Sequence, residues 1–240
     1  RLRQPLRELD RDDLPVVARM RRVEFLSLLN WMGLTAARTA HDFRSVLDFR
    51  FSDHSPGWRE TAIAETPEQA WTFHRISPPE GRDALSELAE TLSRVSPNAV
   101  TIFSEIDRFT DPAGLLQTIF DHTKPRTMVF IATSNADGLE YEMLGSESPS
   151  FVPLDRLNLF SVKGLTGLAE RIGFEAHEVS TPGRLDAVIL QRYFSSIHEP
   201  ATPFWGGFFR EANRDRLQDL QILLQRSLRS GVMRLVLERT

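Results

Sequence analysis

One stretch constrains the fold more than any other. Residues 99–135 read AVTIFSEIDRFTDPAGLLQTIFDHTKPRTMVFIATSN. Val100, Ile102 and Phe103 make a short apolar strand. Asp111-Pro112 then opens a helix, because a first-turn proline lacks only an N–H that would have no partner there. Leu115, Leu116, Ile119 and Phe120 fall on one face at helical spacing. Lys124-Pro125 ends the helix, since a proline pushes the residue before it out of the α region. Met128 to Ala132 is a continuous apolar run, as in a strand buried on both faces of a parallel sheet. Strand, helix and strand in this order form a βαβ unit. Open α/β sheets bind ligands outside the carboxyl ends of their strands, so residues 104–111 and 133–139 are where function is expected.

The rest of the chain surrounds that unit. Residues 1–22 intersperse both signs of charge, the pattern of a solvated leader or first helix. A helix is expected from about Leu14 to Met32, with Val16, Val17, Met20, Val23, Leu26, Leu29 and Asn30 at helical intervals and Gly33 as its stop. This divides the chain into a helical leader over 1–33 and an α/β domain over 34–240. Residues 45–51 and 58–64 read as strands separated by the turn DHSPG, and Thr66-Pro67-Glu68 as a helix start. A helix is expected over 83–95, a long irregular loop over 137–153, a helix over 161–172 and a strand over 174–180. Residues 186–193 continue apolar, and 198–207 are a break. A long amphipathic helix over 210–228 carries Leu217, Leu220, Leu224 and Leu228, and a strand over 232–237 closes the chain.

Composition excludes several functions. At 240 residues and 41% hydrophobic, the chain can bury a sizeable core. A formal net charge of −4 leaves no basic footprint for nucleic acid. The absence of cysteine removes disulfides, thiolate metal sites and a cysteine nucleophile. His54, His122 and His177 have no metal-ligand spacing, so no metal site is expected. Ser104 and Ser134 lack the G-x-S-x-G elbow of a hydrolase nucleophile. Within these residues no apolar run is long enough to span a membrane, and a cytoplasmic location is expected.

The second half resembles the class I S-adenosylmethionine-dependent methyltransferases, in particular the bacterial branch that acts on natural products and surface sugars. The resemblance rests on FSEIDRFTDP at 103–112, TKPRT at 123–127, TSN at 133–135 and the stretches 137–150, 152–161, 170–186 and 230–238. It implies an α/β fold with a Rossmann-like, doubly wound sheet of the class I methyltransferase type, its first crossover eroded. The first half departs from the family. The strand VLDFRFSD at 46–53 has Arg50 and Ser52 where the family has the glycines of its cofactor turn, with Phe49 and Phe51 between them. The acid that would hold the cofactor ribose should end the next strand. Ala64 stands there, and Glu65 is one place late, on the opposite strand face. Near the fourth strand the family's glutamate and histidine are Ser104 and Arg108, and the Gly-Gly after Lys-Pro is Arg126-Thr127. Arg156 stands where the family usually has histidine.

These matches imply a set of site residues. Glu105 and Asp107 lie where a catalytic base would sit, although acids there equally suit a helix N-terminus. The remnant cofactor side would comprise Asp48, Ser52, Glu65 and Phe103. The substrate side would comprise Asn135, Tyr141, Arg156 and Asn158. Phe204, Trp205, Phe208 and Phe209 read either as core beneath the last helix or as a partner-binding patch, with a second copy among the possible partners. The expected function is a methyltransferase-like pseudoenzyme that serves as a binding or scaffold subunit, with no cofactor bound and a small molecule or sugar as a possible ligand. The alternatives are an active methyltransferase using S-adenosylmethionine, and a subunit that completes a homologous enzyme.

Overall fold

The computed structural model of the protein describes residues 14–50, 71–76, 83–151, 155–196 and 203–240, with side chains from Val23 onward. A helix, α1 (Leu14–Thr39), leads into β1 (Ser45–Phe49). It runs through Gly33, which therefore does not stop it, and ends where Ala40 turns left-handed at φ 53°. The His41 N–H then donates to the Ala36 carbonyl at 3.0 Å, closing the helix end. The buried face of α1 is Leu28, Leu29, Trp31, Met32 and Thr35, whereas Val23, Leu26 and Asn30 are exposed. The face expected from spacing is thus rotated, because Trp31 and Met32 pack on the sheet.

β2 (Thr72–Ile76) pairs in parallel with β1, from Ser45 opposite Thr72 to Phe49 opposite Ile76. Sequence reasoning placed the second strand at 58–64 instead. That segment, the turn before it and the helix start at Thr66 lie outside the described residues. Then follow α2 (Ala84–Val95), β3 (Ala99–Phe103), α3 (Pro112–His122) and β4 (Met128–Ser134). Here expectation and structure agree closely. The Asp83 carboxylate caps α2 at Leu85 N, and that of Asp111 caps α3 at Gly114 N. All seven residues of β4 are buried.

After β4 the long loop is partly ordered into α4 (Leu139–Leu144) and a 3₁₀ turn. α5 (Val162–Ile172) and β5 (Phe174–Ser180) follow as expected. The apolar run at 186–193 lies in α6 (Asp186–Ser196), and in place of the expected break and single long helix stand α7 (Pro203–Glu211) and α8 (Arg214–Arg226). β6 (Val232–Arg239) closes the sheet.

The six-stranded sheet has the order β2-β1-β3-β4-β6-β5, with β6 antiparallel to both neighbours. Alternate strand residues face opposite layers. Leu47, Phe49, Ile102, Val129 and Ile131 meet α2, α3 and α5, whereas Val46, Phe103 and Phe130 meet α1. A third cluster joins Leu144, Leu190, Phe194, Phe209 and Leu220, so α4, α6, α7 and α8 form a helical cap with its own core.

Candidate functional site

Strand order reverses between β1 and β3: the chain leaves β1 for β2 on one side, and leaves β3 for β4 on the other. The crevice of a doubly wound sheet lies at such a point, outside the carboxyl ends. Here that position is filled by side chains. Asp48 is 1% exposed and Arg50 4%. The Arg50 Nε donates to Asp48 Oδ2 at 2.8 Å, and the Thr101 hydroxyl to Asp48 Oδ1 at 2.9 Å. Asp48 and Arg50 share a face because they are two residues apart in an extended chain. That signal was present in the sequence and could have identified the pair. The Arg50 N–H continues the ladder to the Ile76 carbonyl at 3.0 Å. Phe49 points to the opposite layer, edge-on to Phe109 at 5.8 Å. Phe103 is covered by Trp31 of α1, with ring centroids 6.4 Å apart. Ser52 and Glu65 lie outside the described residues.

The β3–α3 loop starts at Ser104, left-handed at φ 58°, whose N–H reaches the Ala132 carbonyl at 2.7 Å. Glu105 and Asp107 follow, each 1% exposed. Asp107 pairs with Arg156 through Oδ2, while its Oδ1 is buried without a hydrogen-bond partner. Burial lowers the Arg156 guanidinium from its ordinary pKa. The Asp107 carbonyl accepts from Leu157 N at 2.8 Å and Asn158 N at 2.9 Å. The Asn158 amide donates to the Phe109 carbonyl at 2.7 Å. Arg108 grips Asp155 with two hydrogen bonds, 3.0 and 2.9 Å. Arg156 and Asn158 are therefore brought to Asp107 as a clamp that ties 155–158 across the loop.

The remaining predicted residues are separate from that clamp. The Asn135 amide donates to the carbonyls of Leu228 and Ser230 at 3.1 and 2.9 Å, and its oxygen accepts from Asp137 N at 3.1 Å. With all three bonds made inside the fold, Asn135 fixes the α8–β6 turn. Tyr141 stacks obliquely on Phe151 at 4.3 Å. Beside it lies a feature that sequence reasoning missed, the buried pair Glu140 and Asp186. Ser148 and Ser150 donate to Glu140 at 2.5 and 3.1 Å. Burial, reinforced by the Asp186 charge, raises the Glu140 pKa above its ordinary 4.5 against those bonds. Asp186 accepts from Ser230, Gln221 and the Gly231 N–H. The two acids are far apart in the chain, and no local pattern announces their meeting. Among the described residues no cluster of His, Asp or Glu could hold a metal ion.

A family model described as "Methyltransferase domain" matches residues 34–179, more than half of the chain. The chain belongs to this methyltransferase-domain family. The match ends before α6, α7, α8 and β6. No curated protein matches the sequence. Among solved structures, a proposed sarcosine dimethylglycine methyltransferase from Galdieria sulphuraria superposes with a TM-score of 0.51 at 12% identity, over 90% of this chain and 86% of that one. A SAM-dependent methyltransferase from Archaeoglobus fulgidus gives 0.50 at 12% identity, over 88% and 94%. The plantazolicin methyltransferase BamL, solved with a triazolic desmethylPZN analog and SAH, gives 0.50 at 14% identity, over 98% and 89%. At these identities the likeness is one of fold. The methyltransferase-like domain thus has the Rossmann-like sheet expected for its class. No helix among the described residues is long and apolar enough to cross a membrane.

Proposed function

We propose that this methyltransferase-family protein is a non-catalytic binding or scaffold subunit whose S-adenosylmethionine crevice is closed from within. One observation carries the reading: the Asp48–Arg50 ion pair, capped by Thr101, is buried at the end of β1. A cofactor turn there needs glycines so that backbone can approach the ligand closely. Arg50 instead places a guanidinium on the only carboxylate of β1, and an ion pair removed from solvent resists separation. β2 ends on Ile76, with no acid among its residues to take a ribose hydroxyl. The described residues of β1 and β2 do not fit the cofactor. Unfolding followed by fluorimetry tests the reading. A ligand present at a hundredfold excess over its dissociation constant adds about 2.7 kcal/mol to stability. The midpoint should stay unchanged in millimolar S-adenosylmethionine or S-adenosylhomocysteine; a rise of several degrees contradicts the reading.

A second reading is an active enzyme with an unusual pocket, using Asp107 or Glu105 as base and Tyr141, Arg156 and Asn158 toward the acceptor. It is favoured by the unpartnered, buried Oδ1 of Asp107, a polar atom in need of a partner. Methyl transfer to any hydroxyl or amine acceptor at high protein concentration supports it over the first.

The scaffold reading also needs a contact surface, and we assign it to α7. Phe204 is 73% exposed and edge-on to Trp205, which stacks on the buried Phe209. Phe208 extends the cluster. Light scattering after size-exclusion chromatography should show a complex with a methyltransferase partner, or a homo-oligomer, that Phe204→Ser weakens. A strictly monomeric chain that captures no partner contradicts the assignment.

A further inference from the structure

We propose that the groove between α6 and α8 binds an elongated small-molecule anion with an apolar middle and an acidic group at each end. The groove lies on the helical cap, beyond the span matched to the family and away from the switch-point crevice. Its volume is about 500 Å³, within the range of ligand clefts. The floor is apolar, made by Ala187, Val188, Ala212 and Leu217.

The two helices run antiparallel. The Ala187 N–H donates to Gln221 Oε1 at 3.0 Å near one end, and the Gln191 amide donates to the Ala212 carbonyl at 2.9 Å near the other. Arg184, just before α6, therefore flanks one end, and Arg214, the first residue of α8, flanks the other. From Arg214 to Gln221 the rise along α8 is about 10 Å. Both arginines are exposed, and neither makes a hydrogen bond or ion pair among the described residues. Of the three amides that line the groove, Gln191 and Gln221 are already engaged, and Gln218 is exposed. Gln221 donates to the Gly183 carbonyl at 2.9 Å and Asp186 at 2.7 Å, and Gln191 donates to two backbone carbonyls. Those bonds also preform the walls. Asp186 is turned inward onto Ser230 and Gly231, and Asp215 and Asp219 do not line the groove. A cation at each end of an apolar trough selects an anion at each end of an apolar chain.

Calorimetric titration with octanedioate, octanoate and octan-1-ol tests the site on the whole chain. Octanedioate should bind saturably, about two- to fivefold tighter than octanoate, the gain expected from one more exposed ion pair. Octan-1-ol should not saturate. Arg184→Gln or Arg214→Gln should each reduce octanedioate to the octanoate level. Val188→Trp, at a position 36% exposed, should abolish binding while leaving the unfolding midpoint in place. No saturable octanedioate binding in the millimolar range overturns the proposal, as does octanoate or octanol matching it. Indifference of octanedioate binding to both arginine substitutions overturns it too.

Discussion

At the scale of single residues, Arg50 is a buried charge that the end of β1 is built around. Its guanidinium is held by Asp48 in a site nearly closed to solvent. Removing one partner leaves the other charge buried, so Asp48→Asn should lower unfolding stability by about 3–5 kcal/mol. The double change Asp48→Leu/Arg50→Leu should recover much of that loss, because both charges go together. Urea melts of the three proteins decide it; a harmless single change contradicts the pairing. Glu140 makes a second residue-scale prediction. Burial raises its pKa in the folded protein above the ordinary 4.5, so the folded state holds the proton longer than the unfolded one. Its contribution is therefore most favourable below about pH 4.5 and falls as pH rises through the raised folded value. Compared with Glu140→Gln, which cannot titrate, the wild type should lose stability across that window. Parallel stability–pH curves for the two proteins would falsify this.

At the scale of elements, local signals decided what could be read. The β3–α3–β4 unit carries its own punctuation, and Asp111, Pro112 and Pro125 act where their chemistry requires. The turn after α3 is equally local. The Thr127 N–H donates to the Lys124 carbonyl at 3.1 Å, with Pro125 second and Arg126 third at φ 68°. That is a turn with positive φ at its third residue, the place for glycine. Arg126 thus holds a backbone conformation that glycine adopts without strain. Arg126→Gly should stabilise the protein by about 0.5–1 kcal/mol in urea melts, since a side chain there is strained. A destabilised variant contradicts it. β2 was not legible because His74 and Arg75 interrupt a five-residue strand. The 186–193 run announced no element type, because a short apolar run suits a strand or a helix equally. α7 was misread because Pro203 and the Gly206-Gly207 pair look like a break, although proline suits a helix start. The Glu140–Asp186 and Asp107–Arg156 contacts arise only in the tertiary fold, beyond any spacing rule.

At the scale of the whole molecule, one sheet serves two kinds of surface. Its family-matched part carries β1 to β4 and buries the Asp48–Arg50 ion pair at the switch point between β1 and β3. The helical cap has a separate core, and its α6 and α8, beyond the matched part, offer the open groove. The central claim is that the closed crevice does not admit S-adenosylmethionine. Isothermal titration of the purified chain with S-adenosylmethionine tests it most directly. The account predicts no saturable heat through the millimolar range. A saturable isotherm with a micromolar dissociation constant would contradict it.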